Sequence, residues 1–141
     1  MKKTLACILA LSFGVCSFSI SAKTPEYPFD WLKYPEKHQN FSKQYNTYIN
    51  NNKIMRNVDW LQTLSLGTPI ESVGDTGLVR LWSCKPHDCG DNSINMLYNK
   101  STGQLFGIYE TIDRNDGSTV SVIFGDRDAD NEQLLMSIKD L

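Results

Sequence analysis

The sequence predicts an α+β fold: a five-stranded antiparallel meander, an N-terminal helix packed on one face, and a short C-terminal helix. Three observations predict it. Phe41, Tyr45, Tyr48 and Ile49 recur at helical spacing. Further on, the period falls to two, with Ile94, Met96 and Tyr98 alternating with Ser93, Asn95 and Asn99. Short turn signals separate the alternating runs: Gly74-Asp75-Thr76-Gly77, Ser101-Thr102-Gly103 and Asp116-Gly117.

The chain opens MKKTLACILALSFGVCSFSISAK. Lys2 and Lys3, an apolar run from Leu5 to Val15 and small residues around Ser19, Ser21 and Ala22 have the layout of a secretory signal peptide. Its apolar core is shorter than the ~20 residues of a membrane span. Cleavage is expected near residue 22, with export to the periplasm. Residues 23–141 then form a single domain, large enough for one core. Losing Lys2 and Lys3 takes Lys+Arg from 14 to 12 against 16 Asp+Glu, a net charge of −4. Without a basic tract, nucleic acid is not an expected partner. No second apolar run suggests a membrane contact after cleavage.

Along the exported part, residues 23–36 mix Pro25, Pro28 and Pro35 with Tyr27, Phe29, Trp31 and Tyr34. They read as an extended arm packing its aromatics on the domain. A helix is expected over 38–49, ended by Asn50, Asn51 and Asn52. A second short helix is expected over Val58 to Leu64. The strands are Pro69–Val73, Leu78–Ser83, 93–99, Gln104–Ile112 and 119–124. The helix at 38–49 is the natural cover for one face of that sheet. A last helix is expected over Asn131–Lys139, capped by Asp130 with Gln133 three residues on.

Cys84-Lys85-Pro86-His87-Asp88-Cys89 is the stretch that asks for a function. With Cys7 and Cys16 removed in the leader, Cys84 and Cys89 are the remaining pair, and in an oxidising compartment they are expected to bond. So short a loop gains only ~2 kcal/mol in the chain-entropy model, which makes local stiffness the better rationale. Pro86 fixes its own φ and restricts Lys85, and Gly90 is expected to free the backbone beyond the loop. The residues alone leave several readings open. One is a stapled turn with an idle histidine, and another is a binding knuckle. A metal site on Cys84, His87 and Cys89 would lack a fourth ligand. A redox site would prefer C-x-x-C.

Elsewhere, Asp126, Asp128 and Asp130 follow the first half of a calcium loop, but Asn131 stands at its glycine position and Ser137 at its twelfth. A solvated turn and helix start is the expectation there, with no cofactor. Beyond residue 22 the histidines are His38 and His87, and no G-x-S-x-G or H-E-x-x-H motif accompanies them. Nothing in the sequence supports an enzyme.

The run "SCKPHDCGDN", followed by "SINMLYN", a turn and "GIYETID", resembles the inhibitor of vertebrate lysozyme (Ivy) family, specifically from about Leu78 to Asp113. Cys84, Lys85, Pro86, His87, Asp88, Cys89 and Gly90 match that family's loop. The resemblance implies a periplasmic inhibitor of c-type lysozymes, a five-stranded sheet with a helix on its concave face, and a homodimer. It implies that the loop occludes the enzyme's cleft and that His87 enters between the catalytic carboxylates. Asp88 would contact the cleft wall or orient the loop, and Lys85 would meet acidic or carbonyl groups at the rim. An inhibitor of the cell's own lytic transglycosylase, or an immunity protein against a muramidase toxin, could use the same loop.

Overall fold

In the computed structural model, residues 23–139 are described; the expected leader at 1–22 lies outside them. The alternating runs form β1 (Glu71–Ser72), β2 (Leu78–Cys84), β3 (Asn92–Asn99), β4 (Leu105–Ile112) and β5 (Thr119–Gly125). They pair antiparallel in sequence order, the expected meander. One register row runs Leu81, Met96, Gly107, Phe124 across four strands. A β-carbon on Gly107 would lie 2.4 Å from Cζ of Phe124, so the missing side chain makes room for that ring.

Because strand side chains alternate, each strand feeds two faces. Val79, Leu81, Ile94, Met96, Tyr98, Leu105, Tyr109 and Phe124 share one core with Phe41, Tyr45 and Ile49 of α2 (Gln39–Asn51). Each fully buried apolar side chain there contributes roughly 1.5–3 kcal/mol. Hydrogen bonds fasten the helix: Tyr45 OH donates to Leu61 O at 2.7 Å, and Ser42 Oγ to Trp31 O at 2.8 Å. Leu78, Leu97, Phe106 and Ile108 form a second cluster on the opposite face, sealed by Leu135 of α3 (Ala129–Ile138).

Several boundaries differ from expectation. The arm is extended only at its start, where Glu26 O accepts from Ile70 N at 2.7 Å. It then forms a helix, α1 (Pro28–Lys33), because Pro28 suits a first helical position and Asp30 caps the Tyr27 N–H at 3.1 Å. Trp31 is buried, whereas Tyr34 remains exposed. α2 runs two residues further than expected. It stops where Asn52 turns its carbonyl onto the N–H groups of Ile54 and Met55, at 2.9 and 3.1 Å. The region expected as a helix over 58–64 holds one 3₁₀ turn, Asp59–Gln62, and a second 3₁₀ turn, Met55–Asn57, precedes it. α3 starts earlier than expected because Asp128, not Asp130, is the cap, accepting from Asp130 N at 2.8 Å.

Candidate functional site

The β2–β3 ladder ends at Cys84 opposite Ser93, and Lys85 N still donates to Asn92 O at 3.1 Å. Cys84 and Cys89 are disulfide-bonded, as expected, with Cα atoms 4.9 Å apart. Inside that ring, Asp88 N donates to Lys85 O at 2.9 Å and closes a four-residue turn. Pro86 takes its second position and His87 its third. His87 has φ +65°. This is the type II pattern, whose third position favours glycine. Histidine tolerates the left-handed region better than most residues. A non-glycine residue there still costs ~1–2 kcal/mol. Strain of this kind tends to mark function.

Gly90 does not adopt positive φ, contrary to expectation, and a β-carbon there would meet open space. The unusual backbone sits on the histidine instead. His87 is exposed at the turn, and among the described residues its ring makes no hydrogen bond. Lys85 is exposed, while Pro86, Asp88 and Cys89 are half-buried.

Asp88 is the anchor of the loop. One carboxylate oxygen accepts from Lys85 Nζ at 3.0 Å and from Asn92 Nδ2 at 2.9 Å. The other accepts from Arg114 Nη2, and the Arg114 Nε–H donates to Asp91. The Lys85 hydrogen bond holds the Asp88 carboxyl below its ordinary range, aided by the Arg114 charge and by Asn92, with desolvation working the other way. In this state Asp88 orients the loop. Lys85, assigned to the rim by resemblance, turns its ammonium inward onto that carboxylate. Arg114, Asn92 and Thr111, which donates to Asn92 Oδ1 at 2.8 Å, were not picked out from sequence. Asn92 and Thr111 are register partners, visible only once β3 and β4 are paired.

The flank of the loop is also fixed. Leu66 O accepts from Cys84 N at 2.9 Å and from Ser83 Oγ at 2.6 Å, and the Leu66 side chain is exposed. Leu64, just before it, is buried with φ +47°.

Other candidate groups have structural duties. His38 stacks on Trp31, with ring centroids 4.6 Å apart, and desolvation lowers its pKa. Asp126 accepts from Tyr48 OH at 3.0 Å and from Leu105 N at 3.1 Å, so it ties α2 to the sheet and is not simply solvated. Burial, with that bond, raises the Tyr48 phenol. Cys84 and Cys89, as a disulfide, offer no thiolate to a metal. Among the described residues no three His, Cys, Asp or Glu side chains gather as a metal-binding group.

What this arrangement can do is present one imidazole, on a stiff and internally neutralised loop, to a concave partner. No protein-family model matches the chain. Two curated proteins named "Inhibitor of vertebrate lysozyme", from Escherichia coli strain K12 and Escherichia coli O157:H7, are each 34% identical to it over 56 residues. That segment is 38% of this chain and 36% of each relative, so the chain spans about a third of the length of the curated relatives it matches.

Proposed function

We propose that this protein is an exported, periplasmic inhibitor of a c-type lysozyme or a related muramidase, not an enzyme. The loop Cys84–Cys89 plugs the substrate cleft and His87 bridges the catalytic carboxyl groups. The observation that carries this reading is His87 itself: exposed, without an internal hydrogen bond, and held at φ +65° on a disulfide-closed turn. The partial similarity to proteins named as lysozyme inhibitors supports the choice of target.

The chemistry is direct. Retaining glycosidases carry two carboxyl groups ~5–5.5 Å apart. An imidazole has a nitrogen on each side, and hydrogen bonds of roughly 2.8 Å from both span such a pair. A protonated ring donates twice and brings positive charge to an acidic cleft. A preorganised loop gives up little entropy on entering. The leader and the disulfide both fit an oxidising compartment.

The test is inhibition of c-type, g-type and bacterial muramidases, including a lytic transglycosylase, by the disulfide-bonded protein and by His87→Ala. Inhibition of a c-type enzyme by the wild type alone is expected. Inhibition confined to a bacterial enzyme would move the target to a transglycosylase or toxin, and no inhibition of any would end the reading.

A further inference from the structure

Two turns meet at one end of the sheet: the loop from Lys85 to Asp91, and the β4–β5 hairpin around Asp113–Ser118. The β3–β4 ladder continues past its last strand pair, since Ile112 N donates to Asp91 O at 2.8 Å. That bond seats Asp91 beside the hairpin. Two residues on, Arg114 reaches back and forks onto Asp88 and Asp91. These two residues flank Cys89 and Gly90, the half of the loop that Pro86 does not stiffen. The Asp88 side chain is 14% exposed against 70% for Arg114, so the guanidinium caps a carboxylate that is mostly out of water. A carboxylate so placed is costly unless paired.

We infer that Arg114 is a positioning residue for His87, and that the β4–β5 hairpin is a second part of the inhibitory site. The inference rests on the knuckle being that site. Arg114 acts through the Asp88 carboxylate, whose residue directly follows His87 and whose N–H closes the turn that sets φ at His87. It also completes a charge balance. Lys85 and Arg114 offset Asp88 and Asp91, leaving the imidazole as the titratable group not neutralised within the loop. A loop carrying an uncompensated carboxylate would be repelled by the acidic cleft of a muramidase, and the guanidinium removes that repulsion. Lysine cannot replace it, because one ammonium does not fork onto two carboxylates in fixed directions.

The experiment compares the disulfide-bonded wild type with Arg114→Gln and Arg114→Lys. The free proteins are followed first, by carboxyl-carbon NMR titration of Asp88 and by amide exchange from Asp88 to Asn92. The groups facing the Asp88 carboxyl are Lys85, Asn92 and Arg114, with Asp91 sharing the guanidinium. Arg114→Gln should raise the Asp88 titration toward its ordinary 3.8 and speed exchange at Asp91 about tenfold. Arg114→Lys should restore part of the titration but not the exchange protection. Inhibition should weaken about tenfold in Arg114→Gln, the equivalent of one charge-assisted bond. An unchanged titration and exchange pattern overturns the inference. So does weaker inhibition with both free-protein readouts unchanged, since Arg114 would then be a direct contact. If the wild type inhibits no muramidase while the titration and exchange still shift, the positioning role of Arg114 stands, and the proposed function falls together with the hairpin's part in an inhibitory site.

Discussion

Replacing His87 with glycine separates what the residue costs the fold from what it gives the partner. The left-handed conformation at φ +65° costs a non-glycine residue ~1–2 kcal/mol. Glycine removes that cost but adds roughly 0.5–1 kcal/mol of unfolded-chain freedom. The balance is a small gain of about 0.5 kcal/mol. At roughly 4 °C per kcal/mol for a domain of this size, Tm should rise by about 2 °C. Alanine gains no such relief, and its Tm should match the wild type or fall slightly below it. Under the proposed function both variants lose the imidazole from the centre of the contact, which should cost ~2 kcal/mol or more, or about 30-fold in the inhibition constant. Differential scanning calorimetry and a muramidase inhibition assay on the three proteins read both axes. A glycine variant melting several degrees below the alanine variant would refute the strain argument. Either variant inhibiting as well as the wild type would show that the histidine is not the key.

Changing Cys84 and Cys89 together to serine should lower stability by about 2 kcal/mol, measured by urea unfolding. Inhibition should weaken less than in His87→Ala, because the imidazole survives without its frame. The Asp88 carboxyl lies below its ordinary value in the folded protein, so the stability it contributes is present above about pH 4 and is lost as pH falls through the folded value. Acid unfolding curves of wild type and Asp88→Asn should therefore converge at low pH and separate above it; parallel curves would remove Asp88 from the account. Gly107→Ala should destabilise by about 1–3 kcal/mol, since its methyl group would meet Phe124 Cζ at 2.4 Å and Met96 Cγ at 3.0 Å. If residues 23–141, at −4 without Lys2 and Lys3, are steered to a basic enzyme, association measured by stopped flow should slow as salt shortens the Debye length below ~8 Å, with dissociation changing less.

The strands were legible because alternation and turn chemistry agree along that stretch. Ile94, Met96 and Tyr98 point to one core, as the pattern implies. The second core was not legible. Leu97, Phe106 and Ile108 interrupt the alternation, and only the docking of Leu135 explains why apolar residues occupy the opposite face. Helix α1 was obscured by three nearby prolines, although Pro28 is a helix starter in its actual position. Asp128 and Asp130 are both plausible caps on composition, and the choice between them is settled by backbone geometry. At the candidate site, the Cys84–Cys89 disulfide was expected from the cysteine pair and the export reading, whereas the loop was singled out by its resemblance to a known family. The positive φ of His87 was not legible, because a Pro-His dipeptide does not dictate a turn type. Arg114 was not either, since its 26-residue separation from Asp88 closes only through the β3–β4 register.

Nearly every tie that shapes the knuckle originates between residues 84 and 92: the disulfide, the Lys85–Asn92 backbone bond, the turn at Asp88 and the two inner partners of its carboxylate. The outside partners are Leu66, Thr111, Ile112 and Arg114. The loop is thus close to a transferable part. A disulfide-cyclised peptide of this stretch would keep the covalent ring and the proline but lose these outside supports. Grafted onto an unrelated antiparallel hairpin, it would regain the ladder, and with a third strand carrying an arginine at the matching register it would regain the clamp. If the proposed function holds, the stepwise recovery of inhibition from peptide to hairpin to three-stranded graft would measure how much of the activity lies in the loop and how much in the sheet beneath it.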